Sequence, residues 1–204
     1  MILSINPINP QQRLINRVVE CLKQGGVIVY PTDTIYGIGC DIFNKKGVKK
    51  IYQIKQRDPR KPFSFICSDL SDVSNYAQVS NFAFKTMKRN LPGPYTFVLE
   101  ATRIVPDLLT TKQKTVGIRI PDNPIAQAIV KELGHPLVTT SVNISGEEPI
   151  HDPAEIEMNL GKMVDMVVDG GVLLGDASTV ISLIDDQVEI LRQGSGDTSW
   201  IHQR

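Results

Sequence analysis

Residues 179–192 read TVISLIDDQVEILR. Two short apolar runs, Thr179 to Leu183 and Val188 to Leu191, flank a polar turn at Asp185-Asp186. The link is too short for a crossover helix, so the runs pair as antiparallel neighbours. Upstream, short strands alternate with helical stretches. Val27 to Tyr30, Phe63 to Ile66, Tyr95 to Glu100, Thr115 to Ile120, Leu137 to Thr140 and Val164 to Val168 read as strands. Asn9-Pro10, Asn123-Pro124 and Asp152-Pro153 read as helix starts, a capping side chain followed by proline at the first helical position. Ser80 to Arg89 is also helical in pattern. Alternation predicts an α/β protein, and the short links predict a mixed, twisted sheet flanked by helices, not a fully parallel one. With no Pro/Gly/Ser-rich linker or low-complexity tract, residues 1–204 are expected to form one domain.

The charge is unevenly spread. The chain carries 22 basic and 22 acidic residues, yet eight of the basic ones fall between Lys45 and Lys61, where Asp58 is the single acid. The compensating stretch, Glu147 to Glu189, has eleven acids and one base, Lys162. A positive patch on a neutral chain concentrates an anionic partner at one place. Lys45, Lys46, Lys49 and Lys50 surround apolar residues at helical spacing and read as a solvated face. Pro59 and Pro62 are expected to end that helix, leaving Arg57, Arg60 and Lys61 in a rigid turn suited to phosphate oxygens.

Several classes are disfavoured. The N-terminus MILSINPINPQQR lacks the pattern of a secretory signal, and no run approaches the roughly 18 apolar residues that cross a bilayer. Cys21, Cys40 and Cys67 form no CxxC pair, which fits a reduced, cytoplasmic compartment. His135, His151 and His202 show no metal-ligand spacing. Neither GxxxxGK[ST] nor a GxGxxG after the first strand is present.

Strand ends carry the polar chemistry. PTDTIYG, Pro31 to Gly37, follows the first strand with hydroxyls, a carboxylate and glycine; Gly37 and Gly39 are expected to let backbone approach a ligand. TVGIRIP, residues 115–121, puts Thr115, Gly117 and Arg119 on one strand face. An arginine inside an apolar strand needs an anionic partner, either an acid of the chain or a ligand. TTSVNISG, residues 139–146, again places small polar groups after a strand, and Ser178 and Arg192 come from the last pair. No nucleophile stands beside a base and no carboxylate pair is evident, so no catalytic residue is assigned. The set describes an anion-binding cleft that works by positioning and charge stabilisation.

The motifs PTDTIYG, KQRDPRKPF, LPGPYTF, TVGIRIP, SVNISG, STV and LRQG, in this order, resemble those of the YrdC/YciO family, from about Asn9 to Gly196. The resemblance implies a YrdC-like fold with a wide positive cleft and a nucleotidyltransferase activity. L-threonine, bicarbonate and ATP would give threonylcarbamoyl-adenylate and pyrophosphate, with Mg2+ on the phosphates, for the threonylcarbamoyl modification of tRNA adenosine. By matched position, Thr34, Arg119, Ser141 and Ser178 would bind threonine, Arg119 through its carboxylate. Arg57, Lys61, Thr115, Asn143 and Arg192 would bind the nucleotide. No membrane partner is implied. The opening NPINPQQRLINRVVE and LPGPYTFVL lie closer to the YciO-like branch, and an RNA-binding module of that type, for tRNA or double-stranded RNA, is the alternative. The matched motifs end near Gly196, so the second, C-terminal domain of longer members is not expected.

Where synthase members commonly read NPLIVH, this chain reads KPFSFI, with Lys61 for asparagine and Ile66 for histidine. An isoleucine offers no hydrogen bond to an amino acid. Poor threonine turnover, improved by Ile66→His, is the expectation.

Overall fold

The computed structural model describes residues 1–56, 58, 63–110, 113–144 and 146–201. Among these residues a single ten-stranded sheet runs through the molecule. Its strands are β1 (Ile2–Ser4), β2 (Ile28–Tyr30), β3 (Gly37–Asp41), β4 (Ser64–Ile66), β5 (Tyr95–Glu100), β6 (Thr115–Arg119), β7 (Leu137–Ser141), β8 (Met166–Asp169), β9 (Thr179–Ser182) and β10 (Glu189–Arg192). They lie in the order β1-β8-β2-β3-β7-β4-β6-β5-β9-β10. Parallel pairs (β1 with β8, β4 with β6, β5 with β9) are interleaved with antiparallel ones (β2 with β3, β5 with β6, β9 with β10). The mixed sheet expected from residues 179–192 is therefore present, and that pair is antiparallel.

Among the described residues six α-helices flank the sheet: α1 (Gln12–Lys23), α2 (Lys45–Ile54), α3 (Leu70–Tyr76), α4 (Asn81–Asn90), α5 (Pro124–Leu133) and α6 (Pro153–Leu160). Local chemistry sets most of their starts. Asn123 accepts from the Ala126 amide with Pro124 in the first turn, and Asp152 accepts from Ala154 ahead of Pro153. α5 ends at Gly134 in the left-handed region, φ 83°.

Two helix ends differ from the sequence reading. α1 starts at Gln12, two residues after Pro10, because Asn6 Oδ1 takes the amides of Ile8 and Asn9 and winds residues 6–9 into a turn of their own. α2 stops at Ile54, with Gln56 at φ 47° reversing the chain before Asp58 is reached. The stop thus precedes the prolines; Pro59 and Pro62 lie outside the described residues.

Strand alternation sorts the core into two layers. One face presents Val29, Ile38, Cys40, Phe65, Phe97 and Val138, packed against residues of α2, α3, α4 and α6. The other presents Ile28, Tyr30, Ile66, Leu137, Met166 and Val168, packed against α1 and α5. α1 and α5 pack against each other and cover the β1-β8-β2 side of that face and, at Leu137 and Ile66, one end of β7 and β4. The rest of the face is left open.

Candidate functional site

The open half is open because of its sequence. From β7 across β4, β6, β5 and β9, the same face carries Thr139, Ser64, Gly117, Thr96 and Ser182, with Ser178 just before β9. Glycine and hydroxyls offer little apolar area, so no helix gains by covering them. The result is a cavity of about 900 Å3. Gly117 sets its floor: a Cβ there would stand 2.7 Å from Ser64 Oγ. Thr115, Gly117 and Arg119 all line the cavity, as their alternation required. Of the two glycines after PTDTIY, Gly37 lines it, whereas Gly39 serves packing, since a Cβ would lie 2.3 Å from the Val138 carbonyl.

Arg119 is buried in the wall and has an acid of the chain as its partner. Its Nη2 donates to Asp33 Oδ1 at 2.9 Å and to Thr34 Oγ1 at 3.0 Å. The turn at residues 31–36, between β2 and β3, thus delivers both partners. Burial pulls the guanidinium below its usual range and Asp33 pulls it back, and an arginine stays charged throughout. Thr34 is 2% exposed and stands behind Arg119, sharing its hydroxyl with Thr32 Oγ1 at 3.0 Å; it is not part of the cavity wall.

Ser178 and Arg192 come together on the opposite wall. Arg192 donates from Nη2 to the Ser178 carbonyl at 2.7 Å and to its hydroxyl at 3.3 Å. That hydroxyl also meets Thr96 Oγ1 at 2.9 Å. Burial lowers the Arg192 guanidinium, and the positive charge of Arg119 lowers it further, so the two cations feel one another.

Ser141 lines the cavity and donates to Asn143 Oδ1 at 2.7 Å. Asn143 itself is not in the wall; its amide donates to the Glu147 carbonyl at 2.6 Å. Sequence reading missed what holds this turn. Lys55, at the C-terminus of α2 and 1% exposed, donates to the Asn143 carbonyl at 2.8 Å and also to the Ser141 carbonyl. The signal was its place on the apolar side of the helix, one turn after Ile51. The floor hydroxyls of Ser64, Thr96 and Ser182 were also missed, though period-two alternation marks them.

Arg57 and Lys61, read as phosphate ligands, lie outside the described residues. Lys45, Lys46 and Lys49 are exposed, and Lys50 pairs with Asp165 at 2.8 Å, on the face of the sheet away from the cavity. Ile66 does not stand in the cavity wall, where the expected gain from Ile66→His would need it. It is fully buried in the layer beneath α1 and α5, beside Arg119 in the β4-β6 ladder, and does not line the cavity. Among the described residues no group of three or more His, Cys, Asp or Glu has metal-binding geometry, and no helix is long and apolar enough to cross a membrane. Cys21, Cys40 and Cys67 are free.

A family model covering Sua5, YciO and YrdC, with the description telomere recombination, matches residues 20–194. YciO of Escherichia coli is 48% identical over 195 residues, 95% of each chain. Its crystal structure superposes with a TM-score of 0.94 at 46% identity, covering 98% of both chains. The threonylcarbamoyl-AMP synthase of Vibrio vulnificus is 32% identical over 88% of this chain and 98% of its own. The Pyrococcus Sua5 crystallised with L-threonine (P. abyssi) matches with a TM-score of 0.90 at 26% identity, over 95% of this chain and 57% of that one. A mixed sheet, a half-covered face and a cavity between Arg119 and Arg192 thus stand on a chain that belongs to the Sua5/YciO/YrdC family.

Proposed function

We propose that the protein is a threonylcarbamoyl-AMP synthase-type enzyme, joining L-threonine, bicarbonate and ATP with release of pyrophosphate. The observation that carries this reading is the meeting of two unlike arginines in one cavity. Arg119 has an acid partner and Arg192 has only uncharged ones among the described residues. Arg119 would take the amino-acid carboxylate and Arg192 the nucleotide. The threonine amine would condense with bicarbonate to a carbamate with loss of water; a carbamate oxygen would then attack the α-phosphorus of ATP, and pyrophosphate would leave. Charge on the transferring group would be stabilised by Arg192 and by donors fixed before the reaction, among them the Ser141 and Ser178 hydroxyls. Magnesium would enter with the nucleotide, since it takes most of its ligands from phosphate and water. Relatives named for this reaction, and a neighbour crystallised with threonine, support the reading. The cytoplasm and tRNA modification belong to it as its setting.

Pyrophosphate release tests it. Omission of threonine or of bicarbonate should abolish release, and a rate indifferent to either would refute the reaction.

A second reading, RNA binding, has one observation in its favour: Lys45, Lys46 and Lys49 are exposed together on α2. Replacing all three by glutamine should then weaken tRNA or double-stranded RNA retention and flatten its salt dependence. Unchanged retention would exclude that surface.

A further inference from the structure

The STV and LRQG motifs each give the cavity one side chain, Ser178 and Arg192, and the residues beside these two are bonded to each other. Thr179 is fully buried and does not line the cavity. Its hydroxyl accepts from the Gly194 amide at 3.0 Å and donates to the Gly196 carbonyl at 2.8 Å. Its own amide donates to the Pro94 carbonyl at 3.0 Å. That amide shares a planar peptide unit with the Ser178 carbonyl, which accepts from Arg192 Nε at 3.2 Å and Nη2 at 2.7 Å. Thr179 therefore fixes both the acceptor of the Arg192 guanidinium and the chain two residues beyond Arg192.

β10 cannot hold Arg192 by burial. Its four residues are exposed, it is an edge strand, and its register with β9 slips between Ile190 and Arg192. A slip of this kind leaves a residue unpaired and bends the strand, so the aim of Arg192 depends on the chain that follows. That chain is a turn pressed backbone to backbone against the segment before β9. The Ser195 amide donates to the Ala177 carbonyl at 2.9 Å, and a Cβ at Gly194 would run into the same carbonyl. Gln193 closes the turn from outside, its Nε2 donating to the Gly194 and Gly196 carbonyls at 3.1 and 2.9 Å. The Thr179 hydroxyl bonds it from within. A long side chain ordered in advance loses less freedom when a ligand arrives.

We propose that Thr179 is a positioning residue for the nucleotide: by bonding the turn at residues 194–196, it holds Arg192 in the cavity wall before the ligand binds. The inference rests on the assignment of the nucleotide to Arg192 above.

Calorimetric titration of the full chain with ATP decides it. Thr179→Val keeps the branched shape and removes both hydroxyl bonds, and ATP affinity should fall about three- to tenfold, the worth of one such bond. Thr179→Ser keeps the hydroxyl and should restore most of the affinity. The double variant Thr179→Val/Arg192→Gln should bind ATP no worse than Arg192→Gln alone, because a residue that acts through Arg192 then has nothing to position. Unaltered affinity in Thr179→Val, losses that add in the double variant, or a serine variant as weak as the valine one would each overturn the inference. If Thr179→Val does not fold, Gln193→Ala carries the same comparison from an exposed position of the turn. Its ATP affinity should fall about twofold or more, and not at all in the Arg192→Gln background; an unchanged or an additive value overturns the inference. Full affinity in Arg192→Gln would overturn it while the wider reading stands. An unmodified protein that binds no ATP would overturn both.

Discussion

The Lys55 ammonium donates to both the carbonyl and the side-chain oxygen of Asn143, at 2.8 and 2.6 Å. A buried cation thereby ties the end of α2 to the turn after β7, across the rim of the cavity. Lys55→Met keeps the volume of the stem but takes the donor from the Asn143 carbonyl, while Asn143 Oδ1 keeps the Ser141 hydroxyl. The partners are neutral oxygens, so the loss is that of buried acceptors left unsatisfied, about 1–3 kcal/mol. Urea unfolding should show a midpoint shift of that size, and ATP affinity should fall with it, because Ser141 and Asn143 lose their anchor. Unaltered stability would mean that the turn holds its shape without the lysine.

Asp165 joins α2 to the start of β2, accepting from Lys50 Nζ at 2.8 Å and from the Val27 amide at 2.7 Å. Partial burial pushes its carboxyl up, but these two bonds and the lysine charge outweigh it, so the folded value lies below the ordinary 3.8. A depressed carboxylate contributes stability above its unfolded value and loses it as pH falls through the folded one. The pair is well exposed, so the effect is about 0–1 kcal/mol. Asp165→Asn should be slightly less stable than the parent at pH 7, and the two should converge below about pH 3.8. A gap that persists at pH 2 would assign the loss to the Val27 contact alone.

The fold was legible in the places where one period dominates. Tyr95 to Glu100 and Thr115 to Arg119 show it by alternation, and Pro124 to Leu133 by its cap and its terminal glycine. β1 was missed because three residues, Ile2 to Ser4, carry no period, and β3 because Gly37 and Gly39 read as a loop. In the site, alternation placed Thr115 and Arg119 on the same wall. It did not reveal that Asp33 pairs with Arg119 across 86 positions of sequence, since such a contact depends on strand order. Lys55 was legible as one of a basic cluster and illegible as a core residue, because charge suggests solvent unless carbonyls wait at the other end.

Arg192 ends β10, an exposed edge strand, yet its guanidinium reaches back to Ser178. Arg192→Gln removes the positive charge that has no acid beside it among the described residues. Thermal stability should change little, as the strand buries almost nothing, whereas ATP affinity should drop about tenfold or more. Titration with ATP reads this directly. Retained affinity would move the nucleotide away from this wall.

Ile66 gives the last test. It packs with Tyr30 and Leu137 beneath α1 and α5, and its register neighbour across β4-β6 is Arg119. An imidazole there gains no solvent and no ligand, and leaving its polar atoms unsatisfied costs about 1–3 kcal/mol. Protonation is opposed both by burial and by the Arg119 charge, so the histidine would be held neutral in the folded state while the unfolded chain takes up a proton near pH 6.5. The unfolded state then binds more protons, and stability falls as pH drops below about 6.5. Ile66→His should therefore unfold at lower urea than the parent, with the gap widening from pH 8 to pH 5, and threonine affinity should not improve. An unchanged midpoint together with tighter threonine binding would show that position 66 reaches the cavity after all.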